Sequence, residues 1–593
     1  MSTSYRPQPF APPTLPTVYL DYTTGKGVDW DGRPFAAPIS SRRKNPTLAD
    51  KLDAVAAAVG PVAEKAKIIF TGKIPATERG QRHWLLVQTP GWVAPRGHWL
   101  GTPPTGRFTH ELTGVYIEVR TAAEWFGDTP LRPAQARDAF MVLDALLGFT
   151  FGPALHARGK DTWGKTLVMH TPASTGTNLW AAAMPRFLNP TPADDDIAEE
   201  LHATSTQHHL DHLVAGPAMA GHEDVVPLID RPEIEGFSYV DGRFMYGSLC
   251  RELGMGPGVR KRAYETMEIL ENNPYVRARI RVRFTVPKQW HHVGIFGLPH
   301  ANPADGWYYP NRPGATGETW ADAAEVMVAR KHGWSVEPLE SIVFNEKMPK
   351  ARTRTDATGA TGRGMTKARP LDDWATKLGS MRESITHDPE LPPLLKRAVG
   401  AALRAILIQS IGSFASRGRG ATAVVDDPKL IPPDYVASVR RQGTRFIYTI
   451  PQSFSAKQAL YYHPEYAVQV WGRGRAKVLD SRGGTFKATG ALSLPGHSII
   501  GINGDAIYST EVPTWALPIE QGGADDGKTG RLRLQGHLTG GQPAPATRAE
   551  RDKLKERAVS NGTEVEPEDQ TSFAFEWHTP ADDAANYQAS EEQ

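Results

Sequence analysis

Two aspartates are spaced and framed as a pair that could hold divalent cations. Phe237-Ser238-Tyr239-Val240 is an aromatic and β-branched run that predicts a buried strand, and it ends on Asp241. Far downstream, Ile499-Ile500 and Ile507-Tyr508 predict two strands joined by Asn503-Gly504, a strong hairpin signal, with Asp505 just past the turn. A lone carboxylate at a strand end is most often a turn former or a helix cap. Two on neighbouring strand ends can bind a pair of metal ions about 4 Å apart. In-line phosphoryl transfer uses such a pair to activate the attacking oxygen and stabilise the leaving one.

Three stretches together carry a resemblance. Asp241-x-x-x-x-Tyr246 is similar to motif A of the family B DNA polymerases, Asp-x-x-Ser-Leu-Tyr. Asn503-Gly504-Asp505 resembles their motif C, Asp-Thr-Asp, with Asn503 replacing the first Asp. Between them Arg404 to Ser416, RAILIQSIGSFAS, resembles motif B, Lys-x-x-x-Asn-Ser-x-Tyr-Gly. Arg404 takes the Lys position, Ile411 the Tyr position and Gly412 the Gly position. The order is the family's, and the resemblance is strongest to the small protein-primed polymerases of phages and linear plasmids. It covers roughly residues 235 to 540.

The resemblance implies an α/β (α+β) fold: a right-hand polymerase with palm and fingers, an N-terminal ribonuclease-H-like exonuclease-type domain and a reduced thumb. The implied order is a disordered N-terminus (1–16), an exonuclease-like domain (17–187), a connector (188–234), a first palm segment with motif A (235–370) and fingers with motif B (371–416). A second palm segment with an insertion and motif C (417–515), a thumb-like region (516–575) and an acidic tail (576–593) follow. Asp241 and Asp505 become catalytic ligands of two Mg²⁺ ions, with Mn²⁺ able to substitute. Tyr246 becomes the steric gate that favours dNTPs over NTPs. Arg404 and Arg397, seven residues apart and so on one helical face, become the triphosphate clamp. Gly412 lets backbone approach the nascent base pair. Gln469-Val470-Trp471-Gly472-Arg473 resembles the template-binding Thr-x-x-Gly-Arg, which offers Arg473 and Arg475 to template phosphates; Lys528, Arg531 and Arg533 would follow the primer backbone. The implied partners are a DNA primer-template and dNTPs, with a terminal protein primer as an option, acting on a monomer.

Composition agrees with a soluble globular chain of three or four domains: 593 residues, 40% hydrophobic and 22% charged. The net charge is only +2, so nucleic-acid affinity must come from local patches. A single cysteine, Cys250, excludes an internal disulfide and a multi-Cys zinc site. No apolar leader and no run of 18 apolar residues occur, so a cytoplasmic protein off the membrane is the expectation.

The elements that must position these residues are legible in places. Thr17–Asp21, 67–71, 83–87 and 114–120 predict strands; 48–59, capped by Thr47, and 134–148 predict helices. Exonuclease chemistry in that unit would need clustered acids. Asp21-Tyr22-Thr23 has Thr where Glu is required, and Phe140-x-x-x-Asp144 is only an echo of Tyr-x-x-x-Asp, so the unit reads as inactive. His208 and His212 would share a face if helical and could bind a metal, which opens a metal-hydrolase reading. The His-Glu-x-x-His pattern is absent, and a solvated connector helix is the plainer expectation. Tyr275–Val286 predicts a strand with Arg277, Arg279, Arg281 and Arg283 on one face, read either as a solvated face or as a phosphate-tracking surface, with 292–299 as the next strand. The alternative to a polymerase is a non-catalytic DNA-binding protein on a decayed polymerase fold.

Overall fold

The computed structural model describes residues 6–39, 44–74, 89–93, 106–184, 190–205, 211–215, 222–251, 253–273, 276–300, 307–344, 370–416, 421–425, 427–442, 445–450, 459–483 and 485–560. The expected strand at 83–87, His208, the basic loop after 350 and the acidic tail lie outside them.

The chain opens with an antiparallel meander of β1 (Thr17–Asp21), β2 (Lys26–Val28) and β3 (Pro34–Ala36). Helix α1 (Leu48–Val59) buries Leu48, Leu52, Val55 and Val59, and the Thr47–Asp50 capping box fixes its start. It returns the chain to β4 (Lys65–Thr71), parallel to β1. With β5 (Trp92–Val93), β6 (Gly106–His110) and β7 (Tyr116–Thr121) the sheet order is β3-β2-β1-β4-β7-β6-β5. After the short α2 (Ala123–Phe126), the long α3 (Pro133–His156) lies on this sheet. Among the described helices α3 is long and apolar enough to cross a membrane. Its apolar residues nevertheless include a core-facing stripe, Ala136, Ala139, Phe140, Leu143, Leu147, Phe151 and Leu155, at helical spacing.

Helix α4 (Pro172–Ala183) is buried almost throughout, and α5 (Asp195–Ser205) follows. Next come β8 (Asp211–Leu213), β9 (Glu233–Gly242) and the short α6 (Met245–Leu249). A second sheet, ordered β10-β15-β11-β14, is built from β10 (Val259–Arg262), β11 (Ala278–Thr285), β14 (Thr316–Asp322) and β15 (Ser335–Val343). Helices α7 (Ala263–Asn272) and α8 (Ala323–Lys331) and the small ladder of β12 (Leu298–Pro299) and β13 (Trp307–Tyr308) connect it. Helices α9 (Asp372–His387) and α10 (Pro393–Phe414) then pack on each other, and α10 packs on α4. A small sheet of β16 (Ala421–Val425), β17 (Arg440–Gln442) and β18 (Arg445–Ile450) precedes the buried α11 (Pro464–Leu479). After β19 (Ser481–Gly483) and β20 (Phe486–Thr489), the hairpin β21 (Ile499–Asn503) and β22 (Ala506–Ser509) joins β23 (Leu532–Pro543). They complete the central sheet, β23-β9-β22-β21-β8. Helix α12 (Arg548–Ser560) packs on β23 and β9. One hydrophobic core includes residues of α3, α4, β9, α10 and α11, among them Phe140, Trp180, Val240, Leu403 and Val470.

Several expectations change. Of 292–299 only Leu298–Pro299 is strand; Val293, Ile295 and Phe296 are buried without a ladder, and β11 pairs with β14 and β15 instead. The β11 arginines do not form a free stripe. Arg277 and Arg279 are buried, with Arg279 donating to Thr204 and the Trp320 carbonyl, because α5 covers that end. Arg281 and Arg283 are exposed and paired with Glu318, Glu337 and Glu340, the solvated-face alternative. Within the stretch expected as a thumb, the described residues 516–560 supply edge strand β23 of the central sheet and α12, which packs on it. His212 lies on strand β8, not on a helix. Its ring is enclosed and tilted over Tyr309, with centroids 4.6 Å apart. That placement removes it from a surface metal site.

Arg473 and Arg475, offered to DNA by their sequence, face inward from α11. Both are buried. Arg475 donates to the Gly294 and Ile295 carbonyls, lies 3.8 Å above the Tyr309 ring and sits 3.6 Å from Glu325 Oε1. Arg473 is beside Asp322, whose carboxyl burial pushes up to about 6 against the pull of Arg473. The apolar periodicity around them belongs to a helix buried on all sides, which sequence patterning cannot separate from an amphipathic one with a basic face.

Two outcomes test this packing. Removing Arg475 leaves Glu325 buried without that charge, so Arg475→Met should lower unfolding free energy by about 3–5 kcal/mol. Lys528→Met, on a surface pair, should cost less than about 1 kcal/mol in the same denaturant titration. Burial, with the charges of Arg475 and Arg548, holds the His212 imidazole well below its ordinary value. Below about pH 6.5 the unfolded chain takes up a proton that the folded chain refuses. Stability therefore falls on acidification, by up to about 1.4 kcal/mol per pH unit from this residue. His212→Leu should flatten that slope in unfolding curves between about pH 7.5 and 5.

Candidate functional site

The site forms where three strands of the central sheet end side by side. Strand β9 carries Asp241 near its C-terminus, opposite Ala506 of β22 and Arg533 of β23. Residues directly opposite in an antiparallel ladder share a face, so Arg533 and Asp241 emerge together. Asn503 pairs with Ala506, which makes Gly504-Asp505 the two-residue loop. Among the loop residues only Gly504 has positive φ, +59°, the requirement of a II′ turn. The turn is thus displaced by one residue from the predicted Asn503-Gly504, and Asp505 lies within it. The Gly242 amide donates to the Asp505 carbonyl at 3.1 Å. A Cβ on Gly242 would stand 3.1 Å from Asp505 Oδ2. The Met245 side chain would stand closer still, at 2.7 Å, so the glycine lets the start of α6 pack tightly beside the second carboxylate.

Helix α10 brings Arg404 over this pair, with Nη2 4.0 Å from Asp241 Oδ2 and the side chain about one-third exposed. Arg397, two turns earlier, is exposed at the outer end of the same helix. Gly412 is only partly buried, and a Cβ there would meet open space, so no contact in this structure demands glycine.

Tyr246 projects from α6. Its hydroxyl is 3.2 Å from where a Gly504 Cβ would be, and its ring edge lies 3.3 Å from a Cβ on Gly474 of α11. A glycine inside a helix costs about 1 kcal/mol against alanine. Here that cost accompanies the close approach of the Tyr246 ring. Burial, then the charges of Asp505 and Asp241, push the phenol well above its ordinary value despite Arg404, so Tyr246 stays neutral.

The turn after β9 is fixed by contacts that sequence reading missed. Phe244 has φ +46°, the one non-glycine residue with positive φ among the described residues, and the Arg382 guanidinium lies 5.2 Å above its ring. Arg243 makes a buried ion pair with Asp525 at 2.7 Å, while its backbone bonds Gly530 and Arg531. In the same segment Asp526 collects Arg531 through two hydrogen bonds and Lys528 at 3.7 Å. Both cations stay partly exposed. Arg533 is fully enclosed. Arg533, expected along the primer backbone, is removed from that surface; its register against Asp241 joins residues far apart in the chain and has no local mark.

The donor set suits Mg²⁺. That ion takes one or two protein carboxylates and completes its shell with water and substrate phosphates. Asp241 and Asp505 are the two carboxylates at this edge, and no group of three or more His, Cys, Asp or Glu suited to a metal occurs among the described residues. In the N-terminal unit Asp21 and Asp144, the acids of the two exonuclease-like stretches, are engaged by neighbouring amides and hydroxyls. Asp21 Oδ1 accepts from the Thr24 amide and hydroxyl, and Asp144 Oδ1 accepts from the Thr166 hydroxyl and the Leu167 and Val168 amides.

Comparison with solved structures returns three of phi29 DNA polymerase. The ternary complex with primer-template DNA and incoming nucleotide substrates has a TM-score of 0.48 at 10% identity, over 89% of this chain and 85% of that one. The orthorhombic crystal form gives 0.48 at 11%, over 90% and 85%, and the complex with single-stranded DNA 0.44 at 10%, over 90% and 85%. No family model and no curated protein matches the chain.

Proposed function

We propose that the chain is a template-directed DNA polymerase, a divergent member of family B, acting through Asp241 and Asp505. The observation that carries the reading is the convergence of the three motif-like stretches: Asp241 on β9, Asp505 in the adjoining hairpin and Arg404 of α10 within 4.0 Å of Asp241. Like charges held together are costly to assemble, and a sheet with no use for them has no reason to keep both at one edge.

Asp241 and Asp505 would hold Mg²⁺. When bound, such ions supply an activated 3′-hydroxyl and neutralise the leaving pyrophosphate. Arg404 binds the triphosphate through its planar fork, a geometry a lysine would not give. Exposed Arg397 extends that cationic line along α10. Tyr246, a neutral ring fixed between Gly504 and Gly474, closes the floor on which the sugar rests and excludes a 2′-hydroxyl. Lys528 and Arg531 remain as cations for the primer backbone, whereas Arg473 and Arg475 support the floor from below. The N-terminal unit is offered as the exonuclease-like domain without its acids. The alternative, a non-catalytic DNA-binding protein, would leave the carboxylate pair without a role.

Primer extension on a short template with Mg²⁺ or Mn²⁺ decides between them. Asp241→Asn and Asp505→Asn should each reduce dNTP incorporation by at least about a thousandfold, in the range of losing an electrostatic catalytic group. Asn503→Ala should cost less than about tenfold. Tyr246→Ala should raise NTP use relative to dNTP use by about tenfold or more. Full incorporation by either Asp variant would refute the assignment.

A further inference from the structure

A cavity of about 200 Å³ opens in the N-terminal unit between β1, β4, α3 and the segment before α4. Its lining combines apolar walls, including Ile69, Trp125, Phe140 and Val168, with Tyr19, Lys67, Arg120 and His170. The polar groups form a built network. Arg120 Nε donates to Glu118 Oε1 at 2.6 Å and Nη1 to Glu124 Oε1 at 3.1 Å, while His170 Nδ1 lies 2.7 Å from Glu118 Oε2. Three donors and one acceptor nitrogen, His170 Nε2, are left over. Lys67 Nζ, Arg120 Nη2, His170 Nε2 and the Tyr19 hydroxyl make no hydrogen bond among the described residues.

We propose that this cavity binds a small phosphate monoester with an apolar or aromatic body. The phosphate takes the donors of Lys67, Arg120 and Tyr19 and gives its own O–H to His170 Nε2, and the body rests on the apolar wall. A phosphate monoester monoanion has acceptors enough for the three donors and one O–H for the ring nitrogen, and charge-assisted bonds to Lys and Arg are the strong ones. Asp144, the one carboxylate of the lining, already has three bonds to the 166–168 segment and remains a wall residue. Burial also holds the Lys67 ammonium below its ordinary value, which an adjacent anion would reverse. The inference is independent of the carboxylate pair on the central sheet.

Isothermal titration of the full chain tests it with phenyl phosphate, thymidine 5′-monophosphate, inorganic phosphate and an unphosphorylated single-stranded oligonucleotide. One or both esters should bind, at least about tenfold more tightly than inorganic phosphate; which ester is preferred identifies the body as nucleoside or simple aryl. Lys67→Met should weaken ester binding by at least about tenfold, and Asp505→Asn should leave it unchanged. His170→Gln, at a half-exposed position, should also weaken it and serves if Lys67→Met fails to fold. Absence of ester binding at millimolar concentration overturns the proposal. So does binding that a folded Lys67→Met or His170→Gln retains in full, or binding of the oligonucleotide alone.

Discussion

Two carboxylates held at neighbouring strand ends repel, and the β9–β22 ladder is what holds them there. The register Asp241–Ala506 places the Gly504-Asp505 loop beside the end of β9. A slip of one residue would turn Asp241 to the opposite face. That register is specified by burial on both sides: Phe237 and Tyr239 under α12, Val240 in the main core. Arg404 brings positive charge to the pair, and the buried Arg243–Asp525 bridge fixes the turn that follows. Each of these depends on the ladder being where it is.

The helices serve the same edge. Arg404 reaches Asp241 because α10 is packed against both α9 and α4, with Ala398, Leu403, Ile406 and Leu407 buried on its inner side. Helix α11 supports Tyr246 through the close contact at Gly474. Its Arg475 is held internally, between the Tyr309 ring, which His212 covers, and Glu325. The division of labour among arginines follows from burial: those enclosed by α11 and α5 hold elements together, and those on α10 and the 526–531 segment face outward.

Local chemistry explains what could be read beforehand. The Thr47–Asp50 box, the α10 stripe, the aromatic strand ending on Asp241 and the Asn503-Gly504-Asp505 turn are all signals within a few residues. The hairpin was displaced by one position because Gly can serve either central site of a primed turn. Burial of Arg473, Arg475 and His212 was not legible, since a helix or strand enclosed on every side carries no amphipathic pattern. The return of 532–543 to the central sheet is a non-local pairing, visible only once β9 and β23 are seen together. The cavity in the N-terminal unit likewise depends on Lys67, Arg120 and His170 meeting from separate elements.

The most direct test of the carboxylate pair reads metal rather than turnover. Electron paramagnetic resonance of Mn²⁺ can count bound ions in the presence of primer-template and a non-hydrolysable dNTP. About two ions per chain are expected for the unaltered protein, with loss of both in Asp505→Asn and unchanged folding by circular dichroism. Equal Mn²⁺ occupancy in the unaltered protein and in Asp505→Asn would contradict the assignment of this edge as the reaction centre.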